Sequence, residues 1–163
     1  MQTEHLVKRY YQRMIILKNL NKFSVPVQEL INIYCLYIRS VAEQSSVVWS
    51  SSLTQGQVYE LERVQKVALH VILGDEYQSY ENALELTELD NLAARRSVLS
   101  LNFAKQNCIK NERATDMFPL KPDHNVNTRK KEMYKVTKCR TSRFAKSAIP
   151  SMQAQLNLNA SKK

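Results

Sequence analysis

The stretch Val48–Gly74, VWSSSLTQGQVYELERVQKVALHVILG, decides how the rest of the chain is read. Thr54 stands where a helix N-cap belongs. Gln57, three residues on, completes the pattern of a capping box, in which each side chain satisfies the other residue's backbone N–H. Leu61, Val64, Ala68, Val71 and Ile72 then recur at helical spacing along one face. Gly74 tolerates the left-handed backbone on which helices commonly stop. Trp49, the single tryptophan, sits just ahead of the helix and offers the largest apolar surface to a small core. The stretch predicts a capped helix packed along one side.

Working outward, two Gly and four Pro in 163 residues leave long uninterrupted segments, which favours helices over a turn-rich β fold. A first helix is predicted over residues 4–23, with Val7, Tyr10, Met14, Leu17 and Leu20 as its apolar stripe. Ser24 and Pro26 mark a turn and a new start. Leu30, Ile31, Ile33, Tyr34, Tyr37 and Ile38 are apolar on more than one side, which predicts the most buried helix. A third segment over residues 41–49 is weakened by Ser45-Ser46 and by Ser50-Ser51-Ser52. After Gly74, Ser79 caps a helix through about Glu85. Asp90 opens a long helix to about Asn111, with Leu92, Leu99, Phe103 and Ala104 inward and Arg95, Arg96, Lys105 and Lys110 outward. The class is all-α, with about five to six helices over residues 1–118. Beyond Phe118-Pro119 large aliphatics thin out, and Met133, Tyr134, Val136, Phe144 and Ile149 are left to dock locally. Residues 119–163 therefore read as a basic, partly ordered C-terminal tail.

Charge separates the same two regions. Lys and Arg outnumber Asp and Glu by six to three over residues 1–54, trail by seven to ten over 55–120, and lead by eleven to two over 121–163. The net charge of +9 is in effect that of the last 43 residues. A local cationic segment points to nucleic acid or an acidic membrane surface, and the alternative is a solvated, disordered tail. The aromatics and charges there form no long amphipathic stripe, which argues against the membrane. No apolar run approaches the ~18 residues of a transmembrane span. Cys35, Cys108 and Cys139, odd in number and far apart, read as reduced thiols. The expectation is a soluble intracellular protein, nuclear or cytoplasmic, with no membrane partner. His5, His70 and His124 lie far from one another and from the thiols, so neither zinc spacing nor a Cys–His nucleophile pair is present. Two isolated glycines make no phosphate loop. No catalytic residue, metal ligand, cofactor or small-molecule ligand is expected in this chain.

Within Val48–Gly74, the words VWxSSL and LERVQKxALxxILG resemble the segment just after the polymerase domain in jockey-like non-LTR (LINE-type) retrotransposon reverse transcriptases. The similarity continues in the family's order. Asn21-Lys22-Phe23-Ser24-Val25-Pro26, Leu30-Ile31-Asn32-Ile33-Tyr34 and Tyr37-Ile38-Arg39-Ser40-Val41 resemble its thumb-like helices. Tyr80-Glu81-Asn82-Ala83-Leu84, Ala94-Arg95-Arg96 and Asn102-Phe103-Ala104-Lys105 follow. The spaced Cys139-Arg140-Thr141, Arg143, Ser147 and Ile149-Pro150 resemble the closing phrase. The family usually has Pro where Ser40 stands and an aromatic where Gln44 stands, and both departures loosen a well-packed corner. The resemblance implies a thumb-like helical bundle and, in the intact enzyme, RNA-directed DNA synthesis with Mg²⁺. That chemistry needs paired aspartates holding two metal ions, whereas Asp75, Asp90, Asp116 and Asp123 are scattered. The expectation is a C-terminal fragment without the catalytic palm, inactive by itself, with Mg²⁺ belonging to the intact parent alone.

What the resemblance leaves to this chain is grip. A thumb holds a template–primer duplex through its phosphates, so it needs Lys and Arg on exposed faces rather than base-reading side chains. The candidates are Lys8, Arg9 and Arg13 on the first helix, Arg95 and Arg96 on the long helix, and Arg129, Lys130, Lys131, Lys135, Lys138, Arg140 and Arg143 in the tail. Tyr134 and Phe144, interleaved with the tail charges, are placed to stack on bases. The partner implied is RNA or an RNA–DNA duplex. Glu62, Glu81, Glu85, Glu88 and Asp90 make the middle of the chain a poor binder. For each helical cation taken alone, an ordinary solvated surface is the simpler reading. The alternative function is a helical protein-interaction module, or a non-functional relic with no nucleic-acid role, supported by the acidic middle, the small core and the missing palm.

Overall fold

Gln2–Lys22, 21 residues without Gly or Pro, form the first helix, α1, in a computed structural model that describes residues 2–109, 114, 116–120 and 133–160. Leu6, Tyr10, Met14 and Leu17 repeat every three or four residues along α1 and are buried. The chain turns through Ser24 at φ +53°. Pro26 then leads into α2 (Val27–Ile33) from just outside its first turn. α2 runs on into a π-helical turn, Tyr34–Arg39, and then into the short α3 (Ser40–Glu43). Leu30, Ile31, Tyr34, Ile38, Val41 and Ala42 are all buried, as a segment apolar on several sides requires. The single segment expected over 41–49 is two helices. Ser45 takes a left-handed φ of +53° between α3 and α4 (Ser46–Trp49), and a 3₁₀ turn, Ser50–Ser52, follows.

Helix α5 (Gln55–Leu73) is built as its sequence dictates. Gln57 N donates to Thr54 Oγ1 at 3.3 Å, and Thr54 N donates to Gln57 Oε1 at 3.0 Å, which closes the capping box. Gly74 ends the helix at φ +53°. Leu61, Val64, Ala68 and Ile72 are buried as expected, Val71 is half-buried, and Leu69, Leu73 and Gln65 join the buried face. Ser79 Oγ accepts from Asn82 N at 3.1 Å and caps α6 (Tyr80–Thr87).

Helix α7 (Leu92–Phe103) begins with its backbone donors answered twice. Asn91 Oδ1 accepts from Ala94 N at 2.7 Å. The Glu62 carboxylate accepts from Leu92 N at 3.2 Å, from Ala93 N at 2.7 Å and from the Tyr80 hydroxyl at 2.7 Å. A carboxylate at a helix N-terminus also meets the positive end of the helix dipole. The helix passes into a π-helical turn, Ala104–Cys108, and the end expected near Asn111 lies outside the described residues. Phe103, expected inward, is exposed, because the buried stripe runs through Ser100 and Ala104 instead. Two further helices, α8 (Ser142–Ala145) and α9 (Ala148–Ala160), lie in the region read as tail. Among the described residues the chain is mostly helical and contains no strand. Leu120 and Tyr134 form an isolated antiparallel bridge. The class is all-α.

Composition divides the chain at 118/119, whereas packing divides it into Met1–Gln44 with Leu53–Arg95, and Ser45–Ser52 with Arg96–Lys163. In the first unit, Tyr10, Met14 and Leu17 meet Leu30, Tyr34, Ile38, Val64, Ala68, Leu69, Ile72, Ala83 and Leu92 in one cluster. A polar chain crosses this core. Tyr34 donates its hydroxyl proton to Gln65 Oε1 at 2.9 Å, so Tyr10, 2.8 Å from Tyr34, must donate to Tyr34. Gln65 Nε2 in turn donates to the Asp90 carbonyl at 3.0 Å. In the second unit, Ala104, Phe118, Met152 and Leu156 make a smaller cluster with Tyr134 against it.

Gln65→Ala leaves the Tyr34 hydroxyl and the Asp90 carbonyl without these partners in an apolar core. The expected cost is about 3 kcal/mol, read as a lower urea midpoint at unchanged slope. Burial also pushes the Tyr10 and Tyr34 phenols well above the ordinary tyrosine range. For groups raised on folding, the stability is fully present below the unfolded pKa of about 10 and is lost as pH rises through the folded value. Tyrosinate absorbance should therefore show these two phenols ionising only as the fold is lost in alkali. Their ionisation in a fold still intact by circular dichroism would contradict the buried chain.

Candidate nucleic-acid interface

Of the five cationic candidates on α1 and α7, Arg13, Arg95 and Arg96 are committed to the protein itself. On α1, Lys8 is exposed and Arg9 half-buried. Arg13 donates through Nη1 to the Tyr37 carbonyl, with its guanidinium carbon 4.3 Å from the centre of the Tyr37 ring. Arg95, expected outward, donates through Nε to one Glu43 oxygen, and its Nη2 lies 3.5 Å from the other. Hydrogen bonding to Glu43 raises the Arg95 pKa further, so the charge is permanent but internally paired. Arg39 Nε lies 3.2 Å from the same carboxylate, one helical turn away. Arg96, also expected outward, is 3% exposed. It stands four residues after buried Leu92 and four before buried Ser100, on the inward stripe of α7. Its side chain is turned to the protein rather than offered to solvent.

The tail behaves differently. Arg129, Lys130 and Lys131 lie outside the described residues. Lys135, Lys138, Arg140 and Arg143 are all exposed, as is Lys146. No Asp or Glu occurs anywhere in residues 133–160, so no carboxylate of this segment neutralises them. Arg143 sits on α8, which Thr141 caps by accepting from Phe144 N at 3.2 Å. Phe144 is 46% exposed and available for stacking. Tyr134 is half-buried against the second cluster, and its ring serves packing instead.

What presents this segment is a pair of amides that the sequence reading passed over. Gln153 and Asn157, four residues apart on α9, are buried, each following a buried apolar residue, Met152 or Leu156. Asn157 Oδ1 accepts from Met133 N at 3.0 Å and Tyr134 N at 2.8 Å, and its Nδ2 donates to the Tyr134 carbonyl at 2.9 Å. Gln153 Oε1 accepts from Thr137 N at 2.8 Å and from Thr137 Oγ1 at 3.0 Å, while its Nε2 donates to the Met117 carbonyl at 2.6 Å. Lys135 N donates to the Pro119 carbonyl at 2.8 Å. Side-chain amides thus do for residues 133–137 what a neighbouring strand does in a sheet. The signal in the sequence was the i, i+4 spacing of two amides beside apolar residues.

Among the described residues no three His, Cys, Asp or Glu side chains gather where they could hold a metal ion, and no helix is long and apolar enough to cross a membrane. Comparison of the chain with protein-family models, curated proteins and solved structures returned no match. Asn157→Leu keeps the side-chain bulk but removes three hydrogen bonds to Met133 and Tyr134. Their amides should exchange with solvent at least about tenfold faster, with α5 amides unchanged. Unchanged protection at 133–134 would show that something else holds the segment.

Proposed function

We propose that the chain is a thumb-type, C-terminal piece of a non-LTR retrotransposon reverse transcriptase whose own contribution is to hold RNA or an RNA–DNA duplex by its phosphates. One observation carries the reading: five cationic side chains between Lys135 and Lys146 are exposed on a segment free of carboxylates whose start, residues 133–137, is fastened down by buried amides. The ordered phrases around Val48–Gly74 supply the family, and the all-α architecture agrees with a helical thumb. Fixed cations lose less freedom on binding than a free tail would, and phosphate contact demands charge and position rather than base-edge geometry. The chemistry of polymerisation, with its Mg²⁺, belongs to the intact parent. Arg95 and Arg96 drop out of the grip, and Lys8 remains as an exposed cation on α1.

A second reading, a helical protein-interaction module, has its own support in Phe23 and Leu36, which are 80% and 79% exposed. Fluorescence anisotropy with an RNA–DNA duplex separates the two. The intact chain should bind with steep salt dependence and little sequence preference. Replacing Lys135, Lys138, Arg140 and Arg143 together by Ala should weaken binding at least about a hundredfold at low salt. The same change should flatten the log K against log salt slope by about 3. No affinity at low salt, or the same slope in the quadruple variant, sinks the proposal.

A further inference from the structure

A hollow of about 440 Å³ opens on the first unit, lined by Arg13, Ser40, Val41, Glu43 and Gln44. Its setting begins with the backbone. The π-helical turn Tyr34–Arg39 abuts α3, and such turns recur at functional sites. The Tyr37 carbonyl accepts from Arg13 Nη1 and from Ser40 Oγ, the latter at 3.1 Å. Tyr37 therefore holds Arg13 twice, by its carbonyl and by its ring. A guanidinium has five N–H donors in a rigid fork, and the Tyr37 carbonyl takes one of them. The others are held in place with little freedom left to lose.

Charge favours an anion here. Glu43, the acidic side chain of the lining, faces both Arg39 and Arg95. Two guanidiniums thus share one carboxylate, and Asp90 exerts only a smaller pull on Arg95. A carboxylate answered twice is a weak repeller, whereas Arg13 has no carboxylate partner among the described residues. The hollow is shallow and open to solvent, with about 440 Å³ of space, enough for a phosphate group that keeps one side in water.

We propose that this hollow is a phosphate seat, in which the Arg13 fork grips two oxygens of a phosphate group and the open volume takes the sugar that carries it. The phosphate is either a free nucleotide phosphomonoester or a nucleic-acid backbone phosphodiester. The seat does not rest on the tail-binding reading. The test follows Arg13 side-chain and Tyr37–Gln44 amide resonances of the full chain during titration with a nucleoside 5′-monophosphate and, separately, a short single-stranded RNA. Saturable shifts there are expected. Shifts with the monophosphate alone assign a free nucleotide, and shifts with both assign the shared phosphate; either supports the seat. Arg13→Lys keeps the charge but loses the fork, and should weaken binding about tenfold. Should that variant unfold, Glu43→Gln decides, because removing the one opposing charge should tighten phosphate binding several-fold. Absence of shifts with either ligand, equal affinity in a folded Arg13→Lys, or unchanged affinity in Glu43→Gln overturns the seat. RNA shifts confined to residues 133–146 overturn it too, while leaving the proposed tail function standing.

Discussion

The first unit is organised by one buried chain of hydrogen bonds, from Tyr10 through Tyr34 and Gln65 to the backbone of Asp90. Each group would cost several kcal/mol if buried without a partner, so the apolar core around it is tolerable only when all are joined. The chain ties α1 to the π-helical turn, the turn to α5, and α5 to the connection before α7. A slip of one residue in α1, α5 or the turn would strand at least one polar group. That is a register constraint that the surrounding Leu, Ile and Val contacts, being non-directional, cannot impose. It also places Tyr34, and with it the π-helical turn whose Tyr37 carbonyl and ring immobilise Arg13. The hollow beside Arg13 is thus a downstream consequence of the core.

The basic residues fall into two populations with different physics. On the helices, Arg39 and Arg95 meet at Glu43, Arg96 is buried, and Arg13 is stacked on Tyr37. A guanidinium withdrawn from water holds its place only through partners of this kind, and breaking one leaves an uncompensated charge. The cations of residues 135–146 have no carboxylates in their own segment and stay in solvent. Net charge alone treats both populations alike. The second gathers exposed cations without a carboxylate among them, which favours release of counterions to a polyanion.

Helix ends were legible because they rest on local chemistry. Thr54 with Gln57, Gly74 and Ser79 each act within a few residues of chain, whereas the serines at 45–46 read only as a weakness in one segment and not as the left-handed break between α3 and α4. Long-range partners were not legible. Arg96 reads as outward because charge usually is, and nothing nearby in sequence announces that its stripe is the buried one. Glu62 reads as surface acidity, yet it caps α7 from 30 residues upstream. Helix α9 was hidden by its own solution: Gln153 and Asn157 look like solvent-facing residues, and they are buried because residues 117 and 133–137 supply their partners. The charge of the tail was plain from composition, but the scaffold presenting it was not.

If the exposed, carboxylate-free segment is where the chain meets nucleic acid, its lysines must lose access to solvent on binding. Lysine acetylation footprinting of the intact chain with and without an RNA–DNA duplex reads this directly. Strong protection of Lys135, Lys138 and Lys146 is expected, well beyond any at Lys18 and Lys22 on α1. Unchanged reactivity at all lysines, or protection on α1 with the tail lysines as reactive as in the free chain, would contradict it.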